Sequence, residues 1–449
     1  MTKLFGTNGV RGVINEDLTS KVALQVGKAL AAVTPGTIAI ATDARYTCEM
    51  LLSAVSSGIM AVGSNVIFLG MLPTPALQYY VKTHNVAGGV MITASHNPPE
   101  FNGIKVIASD GTEATPEQEA AIEAKYDEFI PLARWDRVGS MKTVGGYADE
   151  YVNSILSKLD VDKIKEANLT VVLDCANGAS AYTSPLLLKK LGVRAITLNC
   201  NPQGEFPGHR SEPTEDNLQD LISMVKKTGA VLGMAHDGDA DRCVFVDNEG
   251  NYVPGDVALA VLGKSLIKQN GGGIVVTSLA ASSAIGDSIS SIGGEVIRTA
   301  IGSPKVARKM MEVGSIFGGE ENGGLIFADH QYCRDGAMAI GRMLECIIEN
   351  GPLKNQIDAL PKYHSVRLKI HCPDNFKADL ISYIDKSTEG FNKDYTDGLK
   401  IITDSGWVLV RPSGTEPLFR IYAESSNKTT VEQMAKKYEE MVVTFLESM

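Results

Sequence analysis

Short apolar runs that end in polar loops recur along most of this chain, with amphipathic segments between them. Runs such as 38–41, 66–69 and 87–92 are too short for typical helices and too apolar for surface loops. The alternation of strand and helix patterns predicts an α/β fold. In open α/β sheets, ligands bind at the carboxyl ends of the strands. We therefore expect the functional residues in the loops that follow these runs.

This pattern occurs in three successive segments, each with two apolar strands that end in polar loops. We interpret them as three similar α/β domains with mixed sheets, at residues 1–150, 151–255 and 256–365. The tail differs, because residues 366–370 alternate between apolar and polar as a half-exposed antiparallel strand does. We expect a smaller C-terminal α+β domain at 366–449, whose last helix opens with a capping box of Thr429 and Glu432.

Composition and charge exclude several classes of protein. The 449 residues carry a formal net charge of -11, whereas binding to a nucleic-acid backbone needs clustered Lys and Arg. No apolar stretch is long enough to span a bilayer, and the N-terminus lacks the apolar core of a signal peptide. The seven cysteines form no Cys-x-x-Cys pair, so reduced thiols are expected rather than a zinc site or disulfides. We expect a cytoplasmic protein without nucleic-acid or membrane partners.

The loop 93–98, Thr-Ala-Ser-His-Asn-Pro, follows one of the apolar runs and carries Ser95. Asn-Pro favours a turn, because proline disfavours the helical conformation of the residue before it. The serine is therefore expected on a stiff loop at a strand end; the alternative is an ordinary loop of turn-forming residues. His96 adjoins Ser95 too closely to act easily as its base, and no Gly-x-Ser-x-Gly motif supports a serine hydrolase.

Three aspartates, Asp237, Asp239 and Asp241, follow another apolar run at a spacing of two residues. In an extended segment this spacing places three carboxylates on one side, which suits Mg²⁺. An EF-hand is excluded, because Arg242 and Asn248 stand where that motif needs Gly and Glu. Arg242 could hold a phosphate beside the metal. The alternative is a solvated acidic turn.

Two further loops carry groups that could bind a phosphorylated sugar. In 319–324, flexible glycines surround Glu320 and Asn322, which could take hydroxyl groups, although a plain glycine-rich loop fits as well. The segment 411–417 could form a backbone anion nest or simply a hairpin turn. Its candidate phosphate-binding residues are Arg411, Ser413, Gly414 and Thr415. Together with a serine and a metal site, these loops suit phosphoryl transfer through a phosphoserine.

The four loops, in this order, resemble the signatures of the α-D-phosphohexomutase family, and residues 5–12 resemble its N-terminal signature. The resemblance covers the whole chain, and segment 206–213 is most similar to archaeal phosphoglucosamine mutases. It implies four domains around a central cleft, a phosphorylated Ser95, and one Mg²⁺ per chain held by the Ser95 phosphate, Asp237, Asp239 and Asp241. A hexose 1,6-bisphosphate would be the activator that primes the serine.

The resemblance also implies roles for the other candidate residues. Arg11, Lys105 and Arg242 would assist phosphoryl transfer, and His96 would belong to the phosphate environment. Glu320 and Asn322 would bind sugar hydroxyls, and Arg411, Ser413, Gly414 and Thr415 would hold the phosphate that is not transferred.

Asn322 and Gly324 depart from the family, since many relatives have Ser and His there. The identity of the general acid or base is therefore open, and His330 nearby is not shown by the sequence to replace it. We predict interconversion of hexose 6-phosphate and 1-phosphate through a bisphosphate, with glucosamine phosphate first and mannose or glucose phosphate as the alternative.

Two other hypotheses stay open on the sequence. One is a haloacid-dehalogenase-type phosphatase with Asp237 as nucleophile and Asp239 as acid; the other is a non-catalytic sugar-phosphate binder. The chain is expected to be a monomer or a homodimer.

Overall fold

A computed structural model describes residues 4–6, 9–414 and 417–449. The chain divides into two compact units. The first comprises residues 1–258 and 322–358, and the second comprises 259–321 and 359–449. Among the described residues, no helix is both long and apolar enough to cross a membrane.

The first part of the chain forms a six-stranded mixed sheet in the order β1-β5-β4-β2-β3-β6. Its elements are β1 (Val10–Val13), α1 (Ser20–Val33), β2 (Thr37–Thr42), α2 (Cys48–Ala61), β3 (Asn65–Met71), α3 (Thr74–Thr83), β4 (Gly88–Ile92), β5 (Phe101–Ile107), α4 (Pro116–Tyr126) and β6 (Met141–Thr143). Strands β4, β2, β3 and β6 run parallel to one another, whereas β5 runs antiparallel to β1 and β4. Every residue of β4 is buried, which explains its uninterrupted apolar sequence.

The next part repeats this arrangement in a five-stranded sheet of order β11-β10-β9-β7-β8. Its elements are α5 (Tyr147–Leu156), α6 (Val161–Glu166), β7 (Thr170–Asp174), α7 (Ser184–Lys190), β8 (Arg194–Leu198), α8 (Gln219–Thr228), β9 (Leu232–His236), β10 (Cys243–Val246) and β11 (Tyr252–Val253). The parallel strands β9-β7-β8 correspond to β4-β2-β3, and β10 is antiparallel to both neighbours, as β5 is. The loop between β9 and β10 thus corresponds to the loop between β4 and β5.

The third part contains α9 (Gly255–Gln269), β12 (Ile274–Ser278), α10 (Ser283–Ser290), β13 (Glu295–Thr299), α11 (Ser303–Val313), β14 (Phe317–Gly319), β15 (Leu325–Phe327), β16 (Gln331–Arg334), α12 (Gly336–Asn350) and α13 (Leu353–Asp358). In the second unit, β12 lies between the parallel strands β13 and β14. In the first unit, β15 and β16 form an antiparallel pair. The parallel three-strand core therefore occurs a third time.

The tail is the predicted α+β structure, a five-stranded antiparallel sheet of order β17-β21-β20-β19-β18. Its elements are β17 (His364–His371), α14 (Lys377–Ser387), β18 (Asn392–Asp394), β19 (Leu399–Thr403), β20 (Gly406–Pro412), β21 (Leu418–Ser425) and α15 (Lys428–Glu447). The predicted capping box at Thr429 is wrong. The cap of α15 is Asn427, whose side-chain oxygen accepts a hydrogen bond from the N–H of Thr430. Asparagine is a favoured capping residue because its side-chain oxygen can accept from an N–H group that has no partner within the helix.

The cysteine prediction also fails at one pair, since Cys175 and Cys200 form a disulfide with their Cα atoms 4.9 Å apart. The two residues follow the paired parallel strands β7 and β8, so the sheet brings together side chains that are 25 positions apart. The five other cysteines are free and buried.

Candidate active site

Ser95 lies in the loop after β4 in a strained backbone conformation. Its φ angle is +54°, in the left-handed region that residues other than glycine seldom adopt. The N–H of Ser95 donates to Thr93 Oγ1 (2.8 Å), and that hydroxyl donates to Asp43 Oδ2 (2.6 Å). The serine hydroxyl is thereby aimed at the loop after β9, where Ser95 Oγ donates to Asp237 Oδ2 at 2.8 Å. Nδ1 of His96 is 3.3 Å from the same Oγ.

Arg45 binds the backbone of the serine loop, a role that was not predicted from the sequence. Its buried guanidinium pairs with Asp43 (Nε to Oδ2, 3.1 Å) and lies over the ring of Phe206, 4.9 Å from its centroid. It also donates to four loop carbonyl oxygens, those of Ser95 (3.0 Å), Asn97 (2.6 Å), Pro98 (2.6 Å) and Phe101 (2.8 Å). The available signal was that Asp43 and Arg45 follow β2, the sheet neighbour of β4.

The three aspartates after β9 form a buried cluster rather than a solvated acidic turn. Each offers a carboxylate oxygen, and these oxygens lie within 4.8 Å of one another. In the part of the chain that the structure describes, Oδ1 of Asp239 and Oδ1 of Asp241 are buried and accept no hydrogen bond. Buried carboxylate oxygens without partners are costly unless a cation binds them. The cluster therefore fits a hard divalent metal such as Mg²⁺.

Close backbone packing joins the loop of the three aspartates to the serine loop. A Cβ on Gly238 would lie 2.5 Å from the carbonyl oxygen of Ser95, so no other residue fits there without a shift. The spacing between Ser95 and the aspartates is therefore set by backbone contact as well as by side-chain hydrogen bonds.

Four cationic side chains surround this cluster. Lys105 Nζ donates to Asp239 Oδ2 (2.6 Å) and Asp241 Oδ2 (3.3 Å), and Arg334 Nη2 donates to Asp241 Oδ2 (2.6 Å). Arg242 Nε lies 3.8 Å from Asp237 Oδ2. Arg11, on β1, donates to two acceptors in the serine loop, Asn97 Oδ1 (3.1 Å) and the carbonyl of Ala94 (3.4 Å). Lys105 and Arg11, which lack obvious partners in the sequence, thus have specific ones in the fold.

Burial and neighbouring charges set the protonation of this site. Burial, Asp239 and Asp241 raise the pKa of Asp237 well above its usual range. Burial acts in the same direction on Asp239, but Lys105, Thr74 and Arg334 together outweigh it and lower the pKa of that carboxyl. Burial, followed by the charges of Arg242 and Arg11, lowers the pKa of His96 to about 2. His96 is therefore a neutral ring beside Ser95 at physiological pH.

Arg334 occupies the space beside Gly324, the position where the sequence departs from the family. A Cβ at Gly324 would lie 2.2 Å from Arg334 Cδ, so a histidine there is incompatible with the arginine as it stands. Asn322 Oδ1 accepts a hydrogen bond from the N–H of Gly324. Both ring nitrogens of His330 are engaged elsewhere, Nδ1 3.1 Å from Asp335 Oδ2 and Nε2 2.9 Å from Ser154 Oγ.

In the second unit, carboxylates organise the other two loops. Glu320 Oε1 accepts from the N–H of Gly302 (2.9 Å), and Asp397 accepts from Arg411 Nε (3.3 Å) and from the N–H of Ile301 (2.9 Å). In the loop after β20, the N–H of Ser413 donates to the carbonyl of Leu418 (2.8 Å), and its own carbonyl accepts from Lys377 Nζ (2.6 Å). A Cβ on the neighbouring Gly414 would meet no atom of the described residues within 4 Å. Thr415 lies outside the described residues.

Comparison with known proteins identifies the family to which the chain belongs. Residues 2–130, 149–250 and 254–363 match the phosphoglucomutase/phosphomannomutase alpha/beta/alpha domains I, II and III, and residues 367–441 match the C-terminal domain of the same proteins. A phosphoglucomutase/phosphomannomutase of Thermococcus kodakarensis is 40% identical, covering 100% of this chain and 99% of that protein. The chain belongs to the phosphoglucomutase/phosphomannomutase family. Its predicted fold class, three α/β domains and a smaller C-terminal α+β domain, is confirmed.

Two further relatives agree with this assignment. A protein of Methanopyrus kandleri named probable phosphoglucosamine mutase is 41% identical, with 98% of both chains covered. The crystal structure of a phosphoglucomutase/phosphomannomutase family protein of Burkholderia thailandensis matches with a TM-score of 0.87 and 25% identity, covering 98% of this chain and 97% of that one. The chain is thus a phosphohexomutase, an isomerase, as predicted. The family assignment favours this activity over the phosphatase and the non-catalytic binder. The domain boundaries at 150, 255 and 365 stay predictions.

Proposed function

We propose that this phosphohexomutase interconverts glucosamine 6-phosphate and glucosamine 1-phosphate through a phosphoserine at Ser95. The observation that carries the proposal is the hydrogen bond from Ser95 Oγ to one of three buried aspartates, two of which have carboxylate oxygens without partners. The sugar is inferred from relatives named probable phosphoglucosamine mutase. One relative named phosphoglucomutase/phosphomannomutase makes mannose and glucose phosphates the alternative.

In the proposed reaction, the bond between phosphorus and Ser95 Oγ breaks as a bond forms to the free O1 or O6 of the sugar phosphate. The proton of that sugar hydroxyl ends on Ser95 Oγ, and the serine hydroxyl so restored donates a hydrogen bond to Asp237 Oδ2, as it does in the free enzyme. A 1,6-bisphosphate results and turns over in the site. Its other phosphoryl group then passes to Ser95 Oγ, and the serine proton returns to the sugar oxygen that loses this group. Atoms and charge balance, and the net result is an isomerisation.

Asp237, Asp239 and Asp241 would hold one Mg²⁺ together with the Ser95 phosphate. When bound, the ion neutralises charge on the phosphoryl oxygens. Arg242 and Arg11 would hold phosphoryl oxygens directly. Among the described residues, the Nε atom of each is buried without a hydrogen-bond partner, so each has an N–H group that can donate to a phosphoryl oxygen. Lys105 and Arg334 fix the carboxylates through their short contacts.

The remaining candidates have roles in binding the sugar phosphate. We assign the sugar hydroxyls to Glu320 and Asn322, and the phosphate that is not transferred to Arg411, Ser413, Gly414 and Thr415. His96, kept neutral by burial, would donate or accept a hydrogen bond beside the serine. A hexose 1,6-bisphosphate would supply the first phosphoryl group to Ser95.

Rates measured side by side on glucosamine 6-phosphate, mannose 6-phosphate and glucose 6-phosphate test the choice of sugar. We expect the highest kcat/KM with glucosamine 6-phosphate; a much higher value with mannose 6-phosphate would contradict it. Ser95→Ala tests the carrier and should show neither turnover nor a mass increase of one phosphoryl group after incubation with glucose 1,6-bisphosphate. Full turnover by Ser95→Ala would instead favour the phosphatase mechanism.

A further inference from the structure

One surface segment of the first unit exposes large apolar side chains at every third position. We call residues 129–141 the strap. Its outward side chains, with their exposed fractions, are Phe129 (90%), Leu132 (59%), Trp135 (87%), Val138 (52%) and Met141 (40%). The other tryptophan of the chain, Trp407, is only 7% exposed. Single exposed apolar residues are ordinary, but five large ones within residues 129–141 are a concentration that points to an interaction surface.

The strap is held firmly against the domain beneath it. The N–H groups of Ala133 and Gly139 donate to the carbonyls of Ala61 (2.8 Å) and Met60 (3.0 Å). A Cβ on Gly139 would lie 1.8 Å from the carbonyl oxygen of Ser64, so the backbone packs too closely there for any other residue. Ile130 is buried. The exposed side chains therefore project from a fixed backbone, which lowers the entropic cost of binding.

The strap ends in β6, which lies at one edge of the six-stranded sheet. All three residues of β6 are exposed, and within the described chain β6 pairs only with β3. An edge strand beside an apolar patch invites pairing with another strand, and proteins usually cover such edges or protect them with charges.

The charges around the strap indicate which partner covers it. Residues 127–142 contain three acidic residues, Asp127, Glu128 and Asp136, and three basic residues, Arg134, Arg137 and Lys142, whereas the whole chain has a net charge of -11. A membrane surface or a nucleic acid would require a basic surface. A surface with both signs and no net charge can instead meet a copy of itself without repulsion, as a twofold interface requires.

The available area is adequate for a dimer. An aromatic side chain buries about 150–250 Å², so Phe129 and Trp135 together supply close to half of the ~800 Å² that each partner contributes to a standard interface. Leu132, Val138 and Met141 enlarge the patch. Aromatic residues, tryptophan above all, are also among those that most often dominate the binding energy of an interface.

We propose that the strap of one copy packs against the strap of a second copy across a twofold axis, forming a homodimer in which Trp135 and Phe129 are the anchors. This proposal does not depend on which sugar the enzyme uses or on the role of Ser95.

Sedimentation equilibrium of the full chain tests the proposal. The wild type is expected at twice the chain mass of 48.0 kDa, and the double variant Phe129→Ser/Trp135→Ser at the monomer mass with unchanged specific activity. The matched control is Tyr182→Ser/Tyr395→Ser, which removes two aromatic residues that are 53% and 61% exposed elsewhere and should stay dimeric. A monomeric wild type, or a double variant that stays dimeric, would overturn the proposal.

Tryptophan emission of the wild type gives a second test that needs no variant to fold. Trp135 should lose solvent exposure in the dimer, whereas Trp407 is buried in either state. Dilution through the dissociation midpoint should therefore shift the emission to longer wavelength and increase quenching by acrylamide. Emission that does not change while the mass falls by half would place the interface elsewhere and refute the assignment to the strap.

Discussion

Substitution of Arg45 by Met is expected to lower kcat by about 10²-fold, although Arg45 acts on Ser95 only by positioning the serine loop. Its guanidinium makes hydrogen bonds to four carbonyl oxygens of that loop and to Asp43. A left-handed backbone costs roughly 1–2 kcal/mol for a residue with a side chain, so Ser95, at a φ of +54°, is expected to relax when these bonds are lost. A displacement of ~1 Å at a reacting atom can cost about 10²-fold in rate.

Arg45→Met should also destabilise the first unit by about 3–5 kcal/mol, because it leaves the buried carboxylate of Asp43 without its ion pair. Arg45→Lys keeps the charge but loses the planar fork of donors, so intermediate losses of stability and kcat are expected. KM should change little, since Arg45 has no proposed contact with the substrate. The assays are urea unfolding, kcat and KM, and the phosphorylated fraction of Ser95 by intact mass.

Chemical rescue separates positioning from simple unfolding. Guanidinium ion at low millimolar concentration should raise the kcat of Arg45→Ala by occupying the vacated space. It should leave unchanged both the wild type and Arg194→Ala, a control at an exposed position. Wild-type kcat in Arg45→Met, or a loss confined to KM, would refute the reasoning.

Three more predictions concern protonation and packing. Because burial, Asp239 and Asp241 raise the pKa of Asp237, protons compete with Mg²⁺; affinity measured by calorimetry should rise with pH, and an affinity independent of pH between 6 and 8 would contradict this. Burial and Arg298 lower the pKa of Lys400 from 10.5 to about 7, so between these values the unfolded chain holds a proton that the folded chain lacks. The unfolding free energy should therefore rise with pH from 7 towards 10.5, and denaturation of Lys400→Met should show a smaller rise; equal pH dependence would exclude a role for Lys400. Gly324→Ala should lower the unfolding free energy by about 1–3 kcal/mol and weaken Mg²⁺ binding, because the new methyl group crowds Arg334. The control is Gly351→Ala at a helix end, where a Cβ meets no described atom within 4 Å. It should affect stability only through the positive φ and leave Mg²⁺ binding unchanged.

Local patterns were sufficient to predict the architecture, because a buried strand and a half-exposed strand differ in sequence. The uninterrupted apolar run at β4 is buried on both faces, and the alternating β17 is exposed on one face. The loops at strand ends were likewise visible, since turn-forming and polar residues follow each run. Helix α15 shows the limit of local rules: the sequence pattern predicted a cap at Thr429, whereas Asn427 caps the helix in the structure.

Local sequence patterns were enough to single out the candidate functional segments, which are the serine loop, the aspartates after β9 and the loops at 319–324 and 411–417. Which atoms of these segments meet follows from the three-dimensional fold. Ser95 and Asp237 are 142 positions apart, and Arg334 and Asp241 are 93 apart. The disulfide of Cys175 with Cys200 and the hydrogen bonds from Arg45 to the serine loop likewise join separate segments. The physical reason is that strand propensity and apolar periodicity act between near neighbours, whereas sheet order and close backbone packing set long-range contacts.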